Sequence, residues 1–273
     1  MKKYYFSVAT IFKNESWGMK EWVEHYKRYG VDHIYMVNDD SDDEFLPILQ
    51  PFIDEGYVTL YHNEIKEMYV GRQVDINNRY FKRVLEDTEW LSVLDMDEYL
   101  YCPKQTDIKK MIMKYDDARI GYIEVNWAYF TSNGYIDQPS SVVESFIMRV
   151  PYNATVYARA PHMQYPEHIG SNGPKVIFNT KYIVNSIDVH SININANRVN
   201  GSFISNENDP DFIINHYQLQ SREYWEKIKM HRGDVNHWFR GNIRNFELFE
   251  AFDKIGTVED TRLRDMNTKL NYE

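Results

Sequence analysis

The strongest constraint on the fold lies in the first hundred residues, where β-branched and aromatic runs alternate with amphipathic helical segments. Tyr4 to Phe12 (YYFSVATIF) has the character of a buried strand. Trp17 to Tyr29 then carries Trp22, Val23, Tyr26 and Tyr29 at helical spacing and stops at Gly30. His33 to Val37 predicts a second strand, Glu44 to Asp54 a helix, and Tyr57 to Tyr61 a third strand after the turn at Gly56. Arg72 to Leu85 predicts a long helix and Trp90 to Leu94 a fourth strand. An order of β-α-β-α-β-α-β implies a mostly parallel sheet with right-handed crossovers, so the fold class is α/β and Rossmann-like.

The 273 residues suit one such domain with a smaller appended portion. We place the division between a ligand-binding half, 1–118, and a second half, 119–273. The second half is less regular. Ile120 to Tyr129 predicts a strand, Ser141 to Met148 a short helix, and Ser221 to Arg232 a helix with Tyr224, Trp225 and Ile228 on one side. Lys175 to Phe178 and Tyr182 to Val184 are expected to form a hairpin around Asn179-Thr180. A net charge of −10 argues against a nucleic-acid partner, which needs a basic face. With a single cysteine, Cys102, no disulfide framework exists, and no apolar run is long enough for a signal peptide or a membrane span. The expectation is a cytoplasmic protein, with peripheral membrane contact left open.

Open parallel sheets bind ligands in the crevice beyond the C-terminal ends of their strands. Three polar clusters fall at such ends: Lys13-Asn14-Glu15, Asn38 to Asp43, and Asp95 to Glu98. Asp95-x-Asp97 after the apolar run WLSVL is the most informative, because paired carboxylates at a strand end can hold a hard divalent cation such as Mn²⁺ or Mg²⁺ against a diphosphate. The bland reading of the same tripeptide is a solvated loop. In the second cluster, Asp39 can accept hydrogen bonds from a base or ribose, while Ser41 or Asp42 can cap the helix near Glu44. His216, in IINHY, suits a metal or phosphate role, against the default of a satisfied buried histidine. Lys227 and Arg232 follow at a distance that can bring cations to a diphosphate, and are otherwise solvated charges. Trp127, in EVNWAYF, is the aromatic best placed to stack on a sugar.

Taken in order, these segments resemble glycosyltransferase family 92 and related family-2-like bacterial enzymes. The resemblance rests on Lys13-Asn14-Glu15, Glu21-Trp22-Val23-Glu24-His25, Gly30-Val31-Asp32-His33-Ile34-Tyr35, Leu94-Asp95-Met96-Asp97-Glu98-Tyr99 and Asn215-His216-Tyr217. It covers roughly residues 8 to 235, taking in Gln73, Asn78, Asn126-Trp127, Lys175, His190, Ser221, Lys227 and Arg232. It implies a GT-A fold and an inverting transfer of a sugar from a nucleotide-diphosphate donor, UDP-galactose being the donor the family favours. The acceptor is expected to be a glycan or a lipid-linked saccharide. Mn²⁺ or a similar cation is implied at Asp97, with Asp95 and His216. The donor set then comprises Lys13, Asn14, Glu15, Asp39, Arg72, Gln73, Asn78, Asp95, Lys175, Lys227 and Arg232, with Trp127 and His190 on the acceptor side. Asp209, Asp211 and Glu167 are candidates for the general base, Asp209 being favoured because it precedes His216 in a loop. Two other functions share parts of this pattern. A sugar nucleotidyltransferase needs a Gly-rich basic loop after the first strand, which Phe12-Lys13-Asn14-Glu15-Ser16 is not. A catalytically inactive glycan-binding protein would tolerate loss of Asp95 and Asp97, which are both present.

Overall fold

A computed structural model describes residues 2–116, 119–152, 154–156, 167–168, 175–188, 190–200, 209–232, 235 and 244–270. The first half follows the expected alternation: β1 (Tyr4–Phe12), α1 (Ser16–Arg28), β2 (His33–Asn38), α2 (Phe45–Asp54), β3 (Val58–His62), α3 (Arg72–Phe81) and β4 (Thr88–Val93). β1 pairs in parallel with β2 on one side and β4 on the other, and β2 pairs in parallel with β3. Succession therefore runs outward from β1 in both directions, which makes the β1–β4 boundary a topological switch point with a crevice at its C-terminal edge. Alternation along the strands sorts the core into two layers. Phe6, Val8, Ile34, Met36 and Trp90 pack under α1 and α2, while Ala9, Ile11, Val37, Leu91 and Val93 pack under α3.

α1 ends because Gly30 takes φ +83°, allowing the amides of Gly30 and Val31 to return to the carbonyls of Lys27 and Tyr26. The buried face of the helix grips the segment that follows β4. Trp22 Nε1 donates to the carbonyls of Asp95 (3.1 Å) and Glu98 (2.9 Å), and the Tyr26 hydroxyl donates to Glu98 O (2.8 Å) and accepts from the Leu100 amide (3.1 Å). His25 Nε2 meets the Leu100 carbonyl at 2.8 Å. The Glu-Trp-x-x-His pattern is thus a clamp on the backbone around Asp97. Glu21, on the same helix, accepts from Ser141 Oγ and from the amides of Val142 and Val143, closing the N-terminus of α5 (Val142–Ser145).

Beyond β4 the chain forms β5 (Glu98–Tyr101), α4 (Ile108–Asp116), β6 (Ile120–Val125) and β7 (Trp127–Tyr129). The single strand expected over Ile120 to Tyr129 is broken at Asn126, because its two parts serve different sheets. β6 lies in the seven-stranded sheet, and β7 in a three-stranded sheet ordered β5, β15 (Ile213–His216), β7. The helix expected over Ser141 to Met148 is only α5, capped by Ser141, before the two-residue strand β8 (Met148–Arg149). β9 (Thr155–Val156) and β10 (Glu167–His168) form a small ribbon.

The hairpin expected around Asn179-Thr180 does not form. β11 (Lys175–Asn179) is inserted antiparallel between β4 and β6, where its apolar residues are buried on both faces. A 3₁₀ turn over Thr180–Tyr182 then leads into β12 (Ile183–Ile187), which pairs with β13 (Ile192–Ile194), and β14 (Asn197–Asn200) extends the large sheet beside β6. Ser221 caps a helical stretch of α6 (Arg222–Tyr224), a π-helical turn (Trp225–Lys229) and α7 (Met230–Arg232). α8 (Phe246–Asp253), β16 (Val258–Glu259) and α9 (Arg262–Leu270) complete the described chain. Among the described residues no helix is long and apolar enough to cross a membrane.

The α1 clamp carries a pH signature. Burial pushes the His25 ring down from an ordinary 6.5 to about 3. The unfolded chain takes up this proton first, so the stabilisation is complete above the unfolded value and is lost as pH falls from there toward the folded one, at about 1.4 kcal/mol per pH unit. Urea midpoints measured between about pH 7 and pH 5 should therefore decline. In His25→Gln, which keeps a donor for Leu100 O without a titrating ring, the decline should be shallower; identical slopes would assign it to another group.

Candidate functional site

At the C-terminal edge of the switch point lies a cavity of about 500 Å³. Its floor is formed by the ends of β1 and β4, and its walls by α3, β15, β7 and the π-helical segment. Strand register explains how distant residues converge here. β15 runs antiparallel to β5 with His216 opposite Glu98, and the Tyr217 amide donates to Asp97 O at 2.8 Å. β15 also runs parallel to β7 with His216 opposite Tyr129, which brings the His216 ring within 4.9 Å of Trp127.

Asp97 is the centre of charge. Its carboxylate is buried, with Oδ2 against Lys229 Nζ and Oδ1 3.5 Å from His216 Nε2. Burial alone would raise this carboxyl; Lys229 and His216 reverse the effect and hold it well below the usual carboxylate range. Asp95 is more open, its side chain 43% exposed, and pairs through Oδ2 with Lys175 Nζ at 3.1 Å. Lys175 is itself buried, 3.5 Å from Glu98 Oε2, while that oxygen also accepts from the Asp95 amide at 2.9 Å. Burial would push the Lys175 ammonium down, but Asp95 and Glu98 outweigh it and keep the charge in place.

A second buried pair closes the other end of the cavity. Arg72 grips Asp39 with two parallel bonds, NH1 to Oδ2 at 2.7 Å and NH2 to Oδ1 at 2.6 Å, and Asn63 Nδ2 adds a third at 2.8 Å. Burial would raise the Asp39 carboxyl; the bonds from Arg72 and Asn63 set it below its ordinary value. Glu15 joins the first strand to the helical segment. It pairs with Arg232 and accepts from the Tyr224 hydroxyl at 2.5 Å, while Arg232 NH1 also reaches Lys13 O at 3.5 Å.

Of the residues singled out in the sequence, Lys13, Glu15, Asp39, Arg72, Gln73, Asp95, Asp97, Trp127, His190, His216 and Arg232 all line this cavity. Lys175 lies just beneath it, under Asp95. Others are placed elsewhere. Asn14 accepts from the Asp42 amide and donates its own amide to Ser41 Oγ, so it braces two loops. Ser41 Oγ is engaged by that amide, and α2 has no side-chain cap, so neither Ser41 nor Asp42 fills the capping place expected of it. Asn78 bonds both backbone groups of Ile187 and fastens α3 to β12. Asp209 pairs with Lys104 at the opposite end of β15 from His216 and does not line the cavity; Asp211 shares the same lysine. The side chain of Glu167 lies outside the described residues.

Lys227 is the clearest correction. It is 61% exposed and pairs with Glu223 one turn back, whereas Lys229, not singled out in the sequence, is buried against Asp97. Lys229 closes a π-helical turn over Trp225–Lys229 and is buried with Trp225, whereas Lys227 lies on the exposed side of the same turn. Asp188, on the wall near His190, was missed as well, and sequence pattern carries no signal for it.

Asp97 and His216 offer a carboxylate oxygen and an imidazole nitrogen at one point, with the more open Asp95 nearby. Among the described residues no three such side chains form a ready-made metal cluster. That donor set fits a hard divalent cation held by few protein ligands and completed by phosphates and water.

Known proteins align with this chain as follows. The family model for glycosyltransferase family 92 matches residues 2–269. A glycosyltransferase family 92 protein of Ricinus communis is 20% identical over 229 residues, 81% of this chain and 36% of that protein. Galactan β-1,4-galactosyltransferase GALS2 of Arabidopsis thaliana is 23% identical over 105 residues, 36% of this chain and 20% of that protein. The chain thus spans about a third or less of the length of these relatives. A crystal structure of S. aureus TarS in complex with UDP aligns at a TM-score of 0.42 and 16% identity, covering 66% of this chain and 47% of that one.

The buried Asp39–Arg72 pair makes a stability prediction. Arg72→Met strands a carboxylate without its cation and should lower unfolding free energy by about 3 kcal/mol. Adding Asp39→Asn should restore part of the loss. Urea denaturation of Arg72→Met, Asp39→Asn and the double variant checks this, and a double loss equal to the sum of the two single losses would show that the side chains act independently.

Proposed function

Because this chain belongs to glycosyltransferase family 92, we propose that it transfers a sugar from a nucleoside-diphosphate donor seated in the cavity at the β1–β4 switch point. The observation that carries this reading is the buried Asp97 carboxylate at the end of β4, with His216 and Lys229 converging on it. A leaving diphosphate accumulates negative charge, and stabilising that charge in a water-poor cavity is the main electrostatic task of such a site. Lys13, Lys229 and Arg232 line the cavity and serve that task. The donor is a UDP-sugar, and the galactosyl group is favoured because relatives of the chain carry galactosyltransferase names. Its base and ribose lie toward Asp39 and Arg72.

Mn²⁺ or Mg²⁺ accompanies the donor, with Asp97, His216 and Asp95 as its protein ligands, and supplies neutralisation of the diphosphate. The acceptor is a glycan or lipid-linked saccharide in surface polysaccharide or glycoconjugate synthesis, entering beside Trp127 and His190. The reaction inverts the anomeric centre in one step, so a carboxylate must reach the attacking hydroxyl. Asp188 takes that role in place of Asp209, because it is the carboxylate that the acceptor half contributes to the cavity wall among the described residues. We place the reaction on the cytoplasmic side, on a membrane-held acceptor.

Incubation with Mn²⁺ and a panel of nucleotide sugars should give slow donor hydrolysis with UDP-sugars, lost by about a hundredfold or more in Asp97→Asn. Pyrophosphate-dependent nucleotide formation would instead identify a nucleotidyltransferase, and unchanged turnover in Asp97→Asn would remove that carboxylate from the chemistry. Asp188→Asn should lower kcat for transfer by a similar factor while calorimetry shows unaltered binding of the nucleoside diphosphate.

A further inference from the structure

Lys229 has no place in any motif of the sequence, yet its ammonium is buried against Asp97, the carboxylate at the centre of the site. Its side chain is 2% exposed and its partner Asp97 is 6% exposed. Burying two opposite charges is tolerable only while they stay together, since either one alone in that environment is strongly unfavourable. The helix departs from α geometry over Trp225–Lys229 to place this lysine, and π-helical turns recur at functional positions because they are otherwise costly. The ammonium lies 5.8 Å from the centre of the Tyr224 ring, which is anchored through its hydroxyl to Glu15.

The same carboxylate therefore has two claimants. A divalent cation between Asp97 Oδ1 and His216 meets a carboxylate whose charge the ammonium on Oδ2 already balances, and it brings like charge toward that ammonium. Lys229 also lines the cavity together with Lys13 and Arg232, on a flexible four-carbon stem. An incoming diphosphate offers it another anionic partner. Resting on the donor-binding reading above, we propose that Lys229 is an exchangeable counter-ion: it neutralises Asp97 in the donor-free protein and passes to the diphosphate when metal and donor enter together.

Each ligand alone then meets an obstacle that the other removes. The metal alone must approach a carboxylate whose charge a buried ammonium already balances. The nucleotide alone must draw that ammonium from a carboxylate left bare. Together they bind cooperatively, and the coupling acts equally in both directions. Lys229 is a donor-binding residue in this scheme and a gate on premature metal loading.

The test uses the whole protein, with Mn²⁺ alone read by the electron paramagnetic resonance signal of free Mn²⁺, and UDP read by calorimetry with and without the metal. In Lys229→Met, Mn²⁺ alone should bind about tenfold more tightly than in wild type, while UDP in the presence of Mn²⁺ binds about tenfold more weakly. Opposite signs are the signature, since a lysine with a merely structural role would weaken both. If Lys229→Met does not fold, Lys229→Arg keeps the charge and grips the carboxylate through two parallel bonds, and should bind Mn²⁺ alone several-fold more weakly than wild type. Mn²⁺ affinity unchanged in whichever variant folds, or weakened in Lys229→Met, overturns the exchange while leaving the donor site standing. Wild-type protein that binds no nucleoside diphosphate under any condition overturns both.

Discussion

A carboxylate removed from water dictates much of this structure. Asp97 sits where β4 gives way to β5, sealed beneath side chains from the second half of the chain. An ionised group in that position is stable only if cations or donors reach it with good geometry. His216 arrives because β15 is paired between β5 and β7, and Lys229 arrives because the helix after Ser221 takes a π-helical turn. Two halves that the sequence separates by more than a hundred residues are thereby tied at one point, over the crevice that the parallel sheet opens.

Holding that point still is the work of α1. Three of its side chains bond to the backbone of Asp95, Glu98 and Leu100 instead of to other side chains. Backbone carbonyls cannot be mutated away, so such contacts fix the path of the Asp95–Leu100 segment whatever its side chains do. Trp22, Tyr26 and His25 are also core residues, packed with the apolar face of the sheet. Precision at the site and stability of the fold come from the same atoms, which is how a loop between two strands is held to the tolerance that charge stabilisation requires.

The parallel half was legible because its signals are local. Apolar runs of strand length, helical periodicity and Gly30 at a left-handed position each act within a few residues, and strand order then places the polar clusters at one edge. Most of the residues that line the cavity on the side of the first half followed from that placement. What escaped depends on distant partners. Nothing within Lys175–Asn179 says that it will be inserted between β4 and β6, and nothing at Asn126 says that one apolar run will serve two sheets. Asn14 and Asn78 looked like ligand-binding amides and are brackets between loops and elements. Lys227 was singled out by its distance along the chain from His216, and such a distance does not say which of two neighbouring lysines faces inward; Lys229 does.

The cations at the cavity are largely committed to carboxylates, which bears on the anionic donor proposed for it. Arg72 is committed to Asp39, Lys229 to Asp97, Lys175 to Asp95, and Arg232 to Glu15. A surface of unpaired cations would attract any phosphate in the cell, in proportion to its charge. Cations already paired with carboxylates attract much less, and favour a ligand that can replace what it takes. A diphosphate accompanied by a divalent ion does this, since the ion satisfies the carboxylate as the phosphate satisfies the ammonium. Free phosphate offers only half of the exchange. On the proposed reading, selectivity for a metal-bound diphosphate over simpler anions would follow from the pairing of the charges, with no need for a contact that reads the phosphates individually.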